Sequence, residues 1–128
     1  MILNPDSIKP LYLQIAEWLE NEILNGNLKE DERIYSQYQL AEMFNINPAT
    51  AAKGLNLLAE ENIVYKKRGL GMFVALDARK SILSKHRNLK LGPMIQELIG
   101  EAKRLAVSED ELILLIQRAA KESGGDGK

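Results

Sequence analysis

The segment SQYQLAEMFNINPATAAKGLNLL, residues 36–58, has the pattern of two short helices joined by a tight turn. Ser36 and Gln39 have the spacing of a capping box, in which each side chain satisfies an orphan amide at a helix start. Asn45 is suited to end this first helix because asparagine tolerates the left-handed backbone conformation. Asn47, followed by a proline, then favours a second helix start. The segment therefore predicts a helix-turn-helix.

The second predicted helix has one apolar face, formed by residues at offsets of three, four and seven: Ala51, Gly54, Leu55 and Leu58. Its opposite face carries small or polar side chains: Ala49, Thr50, Lys53 and Asn56. A helix of this kind is suited to enter the major groove of DNA. Two packed helices of an ordinary bundle produce the same pattern, so this stretch alone leaves both interpretations open.

Composition restricts the class of protein. With 128 residues, of which 45% are hydrophobic, the chain has room for one ordinary soluble domain or a small domain with an appendage. The absence of cysteine excludes a disulfide framework, a thiolate metal site and a thiol nucleophile. The N-terminus lacks the basic and apolar regions of a secretion signal, and no run approaches the roughly 18 apolar residues of a membrane span. We therefore expect a cytoplasmic protein with no membrane contact.

Charge is distributed unevenly along the chain. Lys plus Arg against Asp plus Glu number 3 against 8 in residues 1–46, 9 against 3 in residues 47–90, and 5 against 7 in residues 91–128. The middle block therefore has a net charge of +6 within a chain whose net charge is −1. Such a block is suited to an anionic partner such as a phosphate backbone. For residues 79–90 alone, a solvated helix surface is the better explanation.

Before the helix-turn-helix, Pro10 is suited to open a longer helix. Its apolar face consists of residues at spacings of three and four: Leu11, Ile15, Trp18, Leu19 and Ile23. We expect Trp18 to lie in the core rather than to stack on a ligand, and the glutamates of the opposite face, including Glu20, to be largely solvated. Residues 27–35 are polar and rich in turn formers, which predicts a loop with a short strand at residues 33–35.

After the second helix, the pattern changes to two short β-prone runs, residues 63–66 and 72–75. Between them, KKRGLG (residues 66–71) contains two glycines that permit positive φ, and it carries Lys67 and Arg68 at the tip of a hairpin. Two helices with a turn followed by a basic hairpin form a winged helix. The predicted fold is therefore mainly α with a small β-hairpin, the wing, whose tip is suited to a phosphate backbone or the minor groove.

Several of these motifs, taken in order, resemble the DNA-binding domain of GntR-family transcription regulators across residues 10–75. They are PLYLQI, the GNL after the first helix, Ser36 with LA four residues on, Thr50 and RGLGMFV. The remaining tail of about 50 residues is similar to that of the YtrA-like subgroup, which INPATAAKG and YKKRGLGMFV also favour. Members of that subgroup carry only a few C-terminal helices and usually act as dimeric repressors of neighbouring transporter operons.

The resemblance implies that Ser36 contacts phosphate, that Thr50 contacts phosphate or base, and that the wing around Gly69 lies against DNA. Family members commonly have arginine at three positions that this chain fills differently: Tyr38, Pro48 and Ala52. Each good arginine-to-guanine contact provides about 1–3 kcal/mol of base discrimination. The resemblance therefore implies a reader with few charged base contacts.

Residue type and position, without the family resemblance, predict four further polar or cationic contacts to DNA: Asn47, Lys53, Lys67 and Arg68. Ala49 and Ala52 are expected to touch thymine methyl groups. With the two residues that follow Ser36, the predicted DNA-binding set is Ser36, Gln37, Tyr38, Asn47, Ala49, Thr50, Lys53, Lys67, Arg68 and Gly69.

From Asp77 the chain has a helical pattern that Gly92 and Pro93 interrupt or kink. A further apolar stripe follows, and Ser108 with Glu111 forms a second capping box that opens a last helix. The predicted domains are therefore a winged helix at 1–76, a helical dimerisation and effector region at 77–122, and a disordered tail at 123–128.

So short a helical region cannot bury its apolar surface by itself. Pairing with the same helices of a second chain is the expected solution, since closed two-fold dimers are the commonest assembly. Packing on the winged helix of the same chain is the alternative. The residues predicted to form a dimer interface are Met94, Ile95, Leu98, Ile99, Leu112, Leu115 and Ile116.

His86 is the only histidine, and we expect it at the surface. A Ser-His-Asp arrangement with a choice of base and a histidine metal cluster are therefore excluded, and we predict a non-enzyme with no catalytic residue, metal or cofactor. A small-molecule effector, of no indicated identity, would fit between the dimer helices and the winged helix.

The leading hypothesis is a dimeric, sequence-specific DNA-binding regulator that represses transcription from an inverted-repeat operator. The alternative is a winged-helix module that binds another protein and reads no DNA. The basic middle block and the wing favour the first hypothesis, whereas the missing arginines favour the second. Binding to DNA that weakens steeply with salt discriminates between them.

Overall fold

The structure, a computed structural model, describes residues 3–126. In chain order its elements are α1 (Leu11–Leu24), α2 (Gln37–Phe44), α3 (Pro48–Glu60), β1 (Val64–Lys67), β2 (Gly71–Val74), α4 (Ala78–His86), a π-helical turn (Arg87–Leu91), α5 (Gly92–Arg104) and α6 (Glu109–Asp126). The chain divides into two compact units, the first ending at Lys85 and the second beginning at His86. The first unit is the predicted winged helix-turn-helix, and the second is helical.

The turn between α2 and α3 follows from local sequence signals. Ser36 Oγ accepts a hydrogen bond from the Gln39 N–H at 3.1 Å, and the Ser36 N–H donates to Gln39 Oε1 at 2.8 Å, which completes the capping box. Asn45 ends α2 in the left-handed conformation, with φ 54° and ψ 53°. Asn47 Oδ1 accepts from the Ala49 N–H at 2.8 Å and caps α3. These contacts confirm the helix-turn-helix prediction.

Helices α1 and α3 approach closely because Gly54 has no side chain. A Cβ built on Gly54 would lie 2.8 Å from the Tyr12 carbonyl oxygen and 3.1 Å from Ile15 Cγ2. Beside this contact, the core of the unit contains large buried side chains from several elements, including Leu19, Leu40, Leu58, Ile63, Val74 and Ile82. Glycine is therefore required at position 54 by the spacing of the two helices.

The wing is a two-stranded antiparallel sheet in which Lys67 pairs with Gly71. β1 begins and ends one residue later than predicted, and β2 one residue earlier, because this pair confines the turn to the three residues between them. Beside β2, the Ile34 N–H donates to the Met72 carbonyl at 2.8 Å. The short strand predicted at residues 33–35 is reduced to a single bridge, between Arg33 and Phe73 of the wing.

One glutamate of α1 departs from the expected pattern of solvated acidic residues. Glu20 is 1% exposed, and Lys85 Nζ donates to its Oε2 at 2.6 Å. The same ammonium donates to Glu61 Oε1 at 2.7 Å. The prediction for Glu20 is wrong because its cationic partner lies 65 residues further along the chain, beyond the reach of any local pattern.

Helix α4 packs within the first unit, so the boundary predicted after residue 76 moves to residues 85 and 86. Ala78 and Ile82 are buried in the core of that unit. Arg79, which the sequence pattern placed on a basic surface, donates to the Leu24 carbonyl at the end of α1. A cation at this position is favourable because the last carbonyls of a helix lack partners within it.

In the second unit, the π-helical turn comes directly before Gly92 and Pro93, where an interruption was predicted. Proline lacks the amide that an α-helical bond would need, which favours a locally wider helix. The Glu111 N–H donates to Ser108 Oγ at 3.2 Å, and this capping box opens α6 as predicted. His86 is half-buried, so its predicted surface position is corrected.

Helix α6 continues to Asp126 and replaces most of the disordered tail predicted at 123–128. Each residue added to an existing helix gains a hydrogen bond, which offsets the low helix propensity of glycine. Residues 127 and 128 lie outside the described residues. Within residues 3–126, no helix combines the length and apolar character needed to cross a membrane.

Candidate nucleic-acid interface

Three elements of the first unit line one recess of about 330 Å³: the start of α2, the outer side of α3 and the wing. The residues that line it are Tyr35, Ser36, Gln37, Tyr38, Ala52, Leu55, Asn56, Lys66, Gly71 and Met72. We call this the α2–α3–wing recess. It brings three residues of the predicted DNA-binding set, all from the start of α2, beside the base of the wing.

The start of α2 presents a helix N-terminus beside this recess. Ser36 caps the helix, Gln37 is half-buried, and Tyr38 is 69% exposed. The first turn contains no acidic residue, so the partial positive charge of the helix start is not neutralised there. A phosphate oxygen is the kind of group that such a helix start binds.

The outer face of α3 combines one cation with short side chains. Ala49, Lys53 and Asn56 are exposed, and Thr50 is half-buried. Asn47 uses its Oδ1 for the helix cap, which leaves its side-chain N–H groups as donors. Short side chains allow the helix backbone to approach base edges closely, so α3 has the surface expected of a recognition helix.

Lys53 is in contact with a ring from α1. Its Nζ lies 4.2 Å from the centroid of the Tyr12 ring, which is within the range of a cation–π interaction. The two residues line a second recess, together with Gln37, Ala49, Ala52, Asn56, Leu57 and Glu60. The cation of the predicted recognition helix is therefore held in place before any partner binds.

The tip of the wing is an exposed turn that carries Arg68, and Lys67, predicted at the tip, lies beside it as the last residue of β1. The Leu70 N–H donates to the Lys67 carbonyl at 2.9 Å and closes the turn. Gly69 has φ 78° and Gly71 has φ 106°, as predicted from the two glycines. Lys67 and Arg68 are both exposed.

Aromatic side chains on the wing hold Lys67. Its Nζ lies 4.4 Å from the centroid of the Phe73 ring and 5.7 Å from that of Tyr65. The two rings stack across the strands with centroids 6.0 Å apart. The Tyr65 hydroxyl donates to Asp31 Oδ1 at 2.9 Å, and this hydrogen bond is the main cause that raises the pKa of Tyr65 above its ordinary value. The wing cation is thus connected through two rings to the loop before α2.

Residues outside the predicted set also belong to this region, including Tyr12, Arg33, Asn56 and Lys66. Lys66 lines the α2–α3–wing recess, and the Arg33 guanidinium packs 3.1 Å from where a Cβ on Gly71 would lie. The helical spacing placed Asn56 on the outer face of α3, although it was not included in the predicted set. Tyr12 and Arg33 come from elements distant in sequence, and no local signal points to them.

The residues predicted to form a dimer interface lie in the second unit. Leu112 is half-buried, and the other six are exposed: Met94, Ile95, Leu98, Ile99, Leu115 and Ile116. Further large apolar side chains are exposed at the end of the π-helical turn and on α6: Leu91, Ile113 and Leu114. Contiguous exposed apolar side chains are typical of a surface that another protein covers.

The order of helix-turn-helix and wing agrees with one family of regulators. The model of the family described as bacterial regulatory proteins of the gntR family matches residues 11–74, half of the chain. The chain belongs to the GntR family. The matched residues extend from the start of α1 to the end of β2, so they include every element of the winged helix except α4.

Two curated relatives, both described as HTH-type transcriptional repressors, differ in how much of the chain they match. The repressor NagR of Bacillus subtilis is 37% identical over 75 residues, which are 59% of this chain and 31% of NagR. The repressor YtrA of the same organism is 26% identical over 126 residues, 98% of this chain and 96% of YtrA. The chain therefore spans about a third of the length of NagR but nearly all of YtrA. The match to YtrA extends through the C-terminal helices, which supports the YtrA-like resemblance.

Two solved structures are similar in fold to this chain. A GntR-family transcriptional regulator from Bacteroides thetaiotaomicron is 28% identical, with a TM-score of 0.73 over 88% of this chain and 97% of that one. The DNA-binding domain of AraR, in complex with operator ORX1, is 27% identical, with a TM-score of 0.53 over 59% of this chain and 93% of that one. The second match covers part of the chain and is to a domain that was solved on DNA.

Proposed function

We propose that this GntR-family chain is a dimeric, sequence-specific DNA-binding regulator that represses transcription from an inverted-repeat operator. The observation that carries the proposal is the α2–α3–wing recess, because it places a helix N-terminus, a face of short polar side chains and a cationic hairpin side by side. The similarity to the operator-bound domain of AraR supports DNA as the partner.

In this proposal, the wing and the start of α2 bind the phosphate backbone. Ser36 and the first-turn amides of α2 receive one phosphate, and Lys67 and Arg68 neutralise others along the strand. Such contacts position the protein but carry no sequence information directly. Affinity should therefore depend mainly on the wing.

In this proposal, α3 recognises the bases. Asn47 and Thr50 supply hydrogen-bonding groups at the start of the helix, and Ala49 offers a methyl group to thymine. Tyr38 lies where family members commonly have arginine, so the strongest kind of guanine contact is missing there. Few direct contacts per half-site make a second half-site important for affinity.

A dimer would supply that second half-site. The exposed apolar side chains of α5 and α6 would be covered by the same helices of another chain. Two joined winged helices bind half-sites about 34 Å apart, one helical turn of DNA, or at a multiple of that spacing. Once one is bound, the second binds at a high effective concentration, which offsets the small number of base contacts.

Repression would follow from occlusion of promoter DNA, and the YtrA-like resemblance points to a neighbouring transporter operon as the target. A small-molecule effector would act by shifting the dimer between two states that differ in their affinity for DNA. We assign no chemical class to this effector.

Protection mapping on the DNA upstream of the chain's own gene tests this proposal. We expect two protected half-sites related by inverted symmetry, with spacing near one or two helical turns. A scrambled duplex of the same composition is the control. Uniform weak protection with no symmetric site would contradict sequence-specific repression.

The alternative function is a winged-helix module that binds a protein. The observation in its favour is Tyr38, an aromatic side chain that is 69% exposed at a position where arginine is common in the family. Aromatic residues are enriched in protein interfaces. DNA affinity that does not change with salt, together with tight binding to a protein, would support this alternative.

A further inference from the structure

Lys53 is the only cation on α3, and its position is set by a residue outside the helix-turn-helix. The α3 sequence PATAAKGLNLLAE contains no other lysine or arginine. Lys53 Nζ lies 4.2 Å from the Tyr12 ring centroid, and Tyr12 belongs to the first turn of α1. Among the described residues, no carboxylate forms an ion pair with Lys53. The ring is therefore the charged group's principal contact within this part of the chain.

The ring reaches Lys53 because the two helices touch at the neighbouring residue. A Cβ on Gly54 would lie 2.8 Å from the Tyr12 carbonyl oxygen, so the backbones of α1 and α3 meet there. This approach places the side chain of Tyr12 against that of Lys53 rather than in solvent. The half-buried ring and the exposed lysine stem thus form a fixed pair at one edge of α3.

We propose that Tyr12 is a positioning residue for DNA recognition, whose ring holds the Lys53 ammonium at the edge of the face that reads DNA. The proposal rests on the DNA-binding function proposed above. An ammonium group has three N–H donors, and a ring covers only one side of it. The remaining donors are available to a phosphate oxygen or to a base acceptor in the groove.

Two physical effects follow from this arrangement. A lysine that is already ordered loses less conformational freedom when DNA binds, which favours the complex. Because three family arginine positions hold Tyr38, Pro48 and Ala52, the location of this one ammonium decides where α3 presents charge. Tyr12 thereby acts on recognition through Lys53, without itself having to contact DNA.

A double-mutant cycle in the full-length chain tests the proposal. Tyr12→Leu removes the ring, Tyr12→Phe keeps the ring and removes the hydroxyl, and Lys53→Met removes the charge. Affinity is measured for an inverted-repeat duplex at fixed salt. We expect Tyr12→Leu to weaken binding about two- to fivefold, the range of an exposed cation–π contact, and Tyr12→Phe to leave it unchanged. In the Lys53→Met background, Tyr12→Leu should have no further effect.

A measurement on the free protein separates positioning from packing. The ring current of Tyr12 should shift the side-chain methylene protons of Lys53 upfield in the NMR spectrum. Tyr12→Phe should keep this shift, and Tyr12→Leu should abolish it while thermal unfolding shows that the chain remains folded. A Lys53 methylene shift at the ordinary lysine value in wild-type protein overturns the proposal.

The outcomes separate a failure of the positioning role of Tyr12 from a failure of the proposed DNA-binding function. If wild-type protein does not bind the duplex, the DNA-binding proposal fails and this role falls with it. If wild-type protein binds and Tyr12→Leu binds equally well or more tightly, the role of Tyr12 alone fails. An equal loss in the presence and absence of Lys53 would show that Tyr12 acts through packing, which also overturns the role.

Discussion

Lys85 Nζ lies 2.6 Å from Glu20 Oε2, and Glu20 is almost completely buried between α1 and α4. A second contact at 2.7 Å joins the same ammonium to Glu61 at the end of α3. Burial is the largest single influence on the pKa of Lys85 and lowers it, but the hydrogen bonds to the two glutamates and their negative charges together raise this pKa above its ordinary value. One lysine thus ties α4 to α1 and to the end of α3.

Replacing Lys85 with methionine should destabilise the first unit. The substitution keeps the aliphatic stem but removes the ammonium that pairs with the buried Glu20 carboxylate, and removal of one partner from a buried pair costs about 3–5 kcal/mol. Lys85 is partly exposed, so water can reach the site, and we expect the lower end of that range. Urea unfolding measures the change, with Lys80→Met, an exposed lysine of the same helix, as the control. Equal stabilities of the two variants would contradict this role.

Gly54→Ala should also destabilise the chain. The added methyl group would lie 2.8 Å from the Tyr12 carbonyl oxygen, and overpacking at a rigid contact typically costs about 1–3 kcal/mol. Gly100→Ala is the matched control, because that helical glycine has no atom within 4 Å of its added Cβ. The control should be stabilised by about 0.5–1 kcal/mol, the difference in helix propensity. Thermal unfolding that shifts both variants in the same direction would show that α1 and α3 do not meet as described.

The sequence separation between the interacting residues explains which features could be predicted. The capping box at Ser36, the left-handed Asn45 and the positive φ of Gly69 depend on residues within one turn, and the structure reproduces all three. The pairs Glu20–Lys85 and Tyr12–Lys53 join helices far apart in the sequence, so no local pattern could indicate them. The end of the winged helix was predicted too early, after residue 76, because Ala78 and Ile82 of α4 pack on elements that are distant in the sequence.

The candidate nucleic-acid interface likewise combines features that local sequence predicts with features that depend on tertiary contacts. The period of α3 was sufficient to predict its outer face, and the glycines of KKRGLG were sufficient to predict the wing. The α2–α3–wing recess depends on how the hairpin folds back beside α2, which is set by tertiary pairing of Ile34 with Met72. Lys66 was therefore not assigned to the site from the sequence.

Changes at the start of α3 should alter operator preference rather than general affinity. Asn47→Ser retains a side-chain oxygen for the helix cap but removes the amide donor, and Thr50→Val keeps the shape but removes the hydroxyl. We expect each to change the ranking of duplexes that differ at one base pair, by about 1–3 kcal/mol at the affected position. Competition binding against a panel of single-base variants measures this. An unchanged ranking for both proteins would refute the assignment of these two residues.

A charge in the apolar surface of α5 should prevent dimerisation. Leu98→Glu would place a carboxylate among the side chains expected to pack against a second chain, and an unpaired charge is unfavourable in such a contact. We expect a monomer by light scattering and sharply weaker binding to a two-half-site operator, with little change for a single half-site. Glu97→Gln, at an adjacent exposed residue, is the control. A Leu98→Glu protein that remains dimeric would show that α5 is not the interface.

The salt dependence of operator binding tests the central claim, that the start of α2, α3 and the wing form a DNA-binding surface. Log affinity for the inverted-repeat duplex should fall linearly with log salt concentration, by about 0.9 for each phosphate neutralised. Lys67→Ala with Arg68→Ala should reduce that slope by about two per winged helix, whereas Arg118→Ala with Lys121→Ala, which removes the same charge from α6, should leave it unchanged. A flat salt profile in the wild-type chain, or equal affinity for the inverted repeat and a scrambled duplex, would contradict the account.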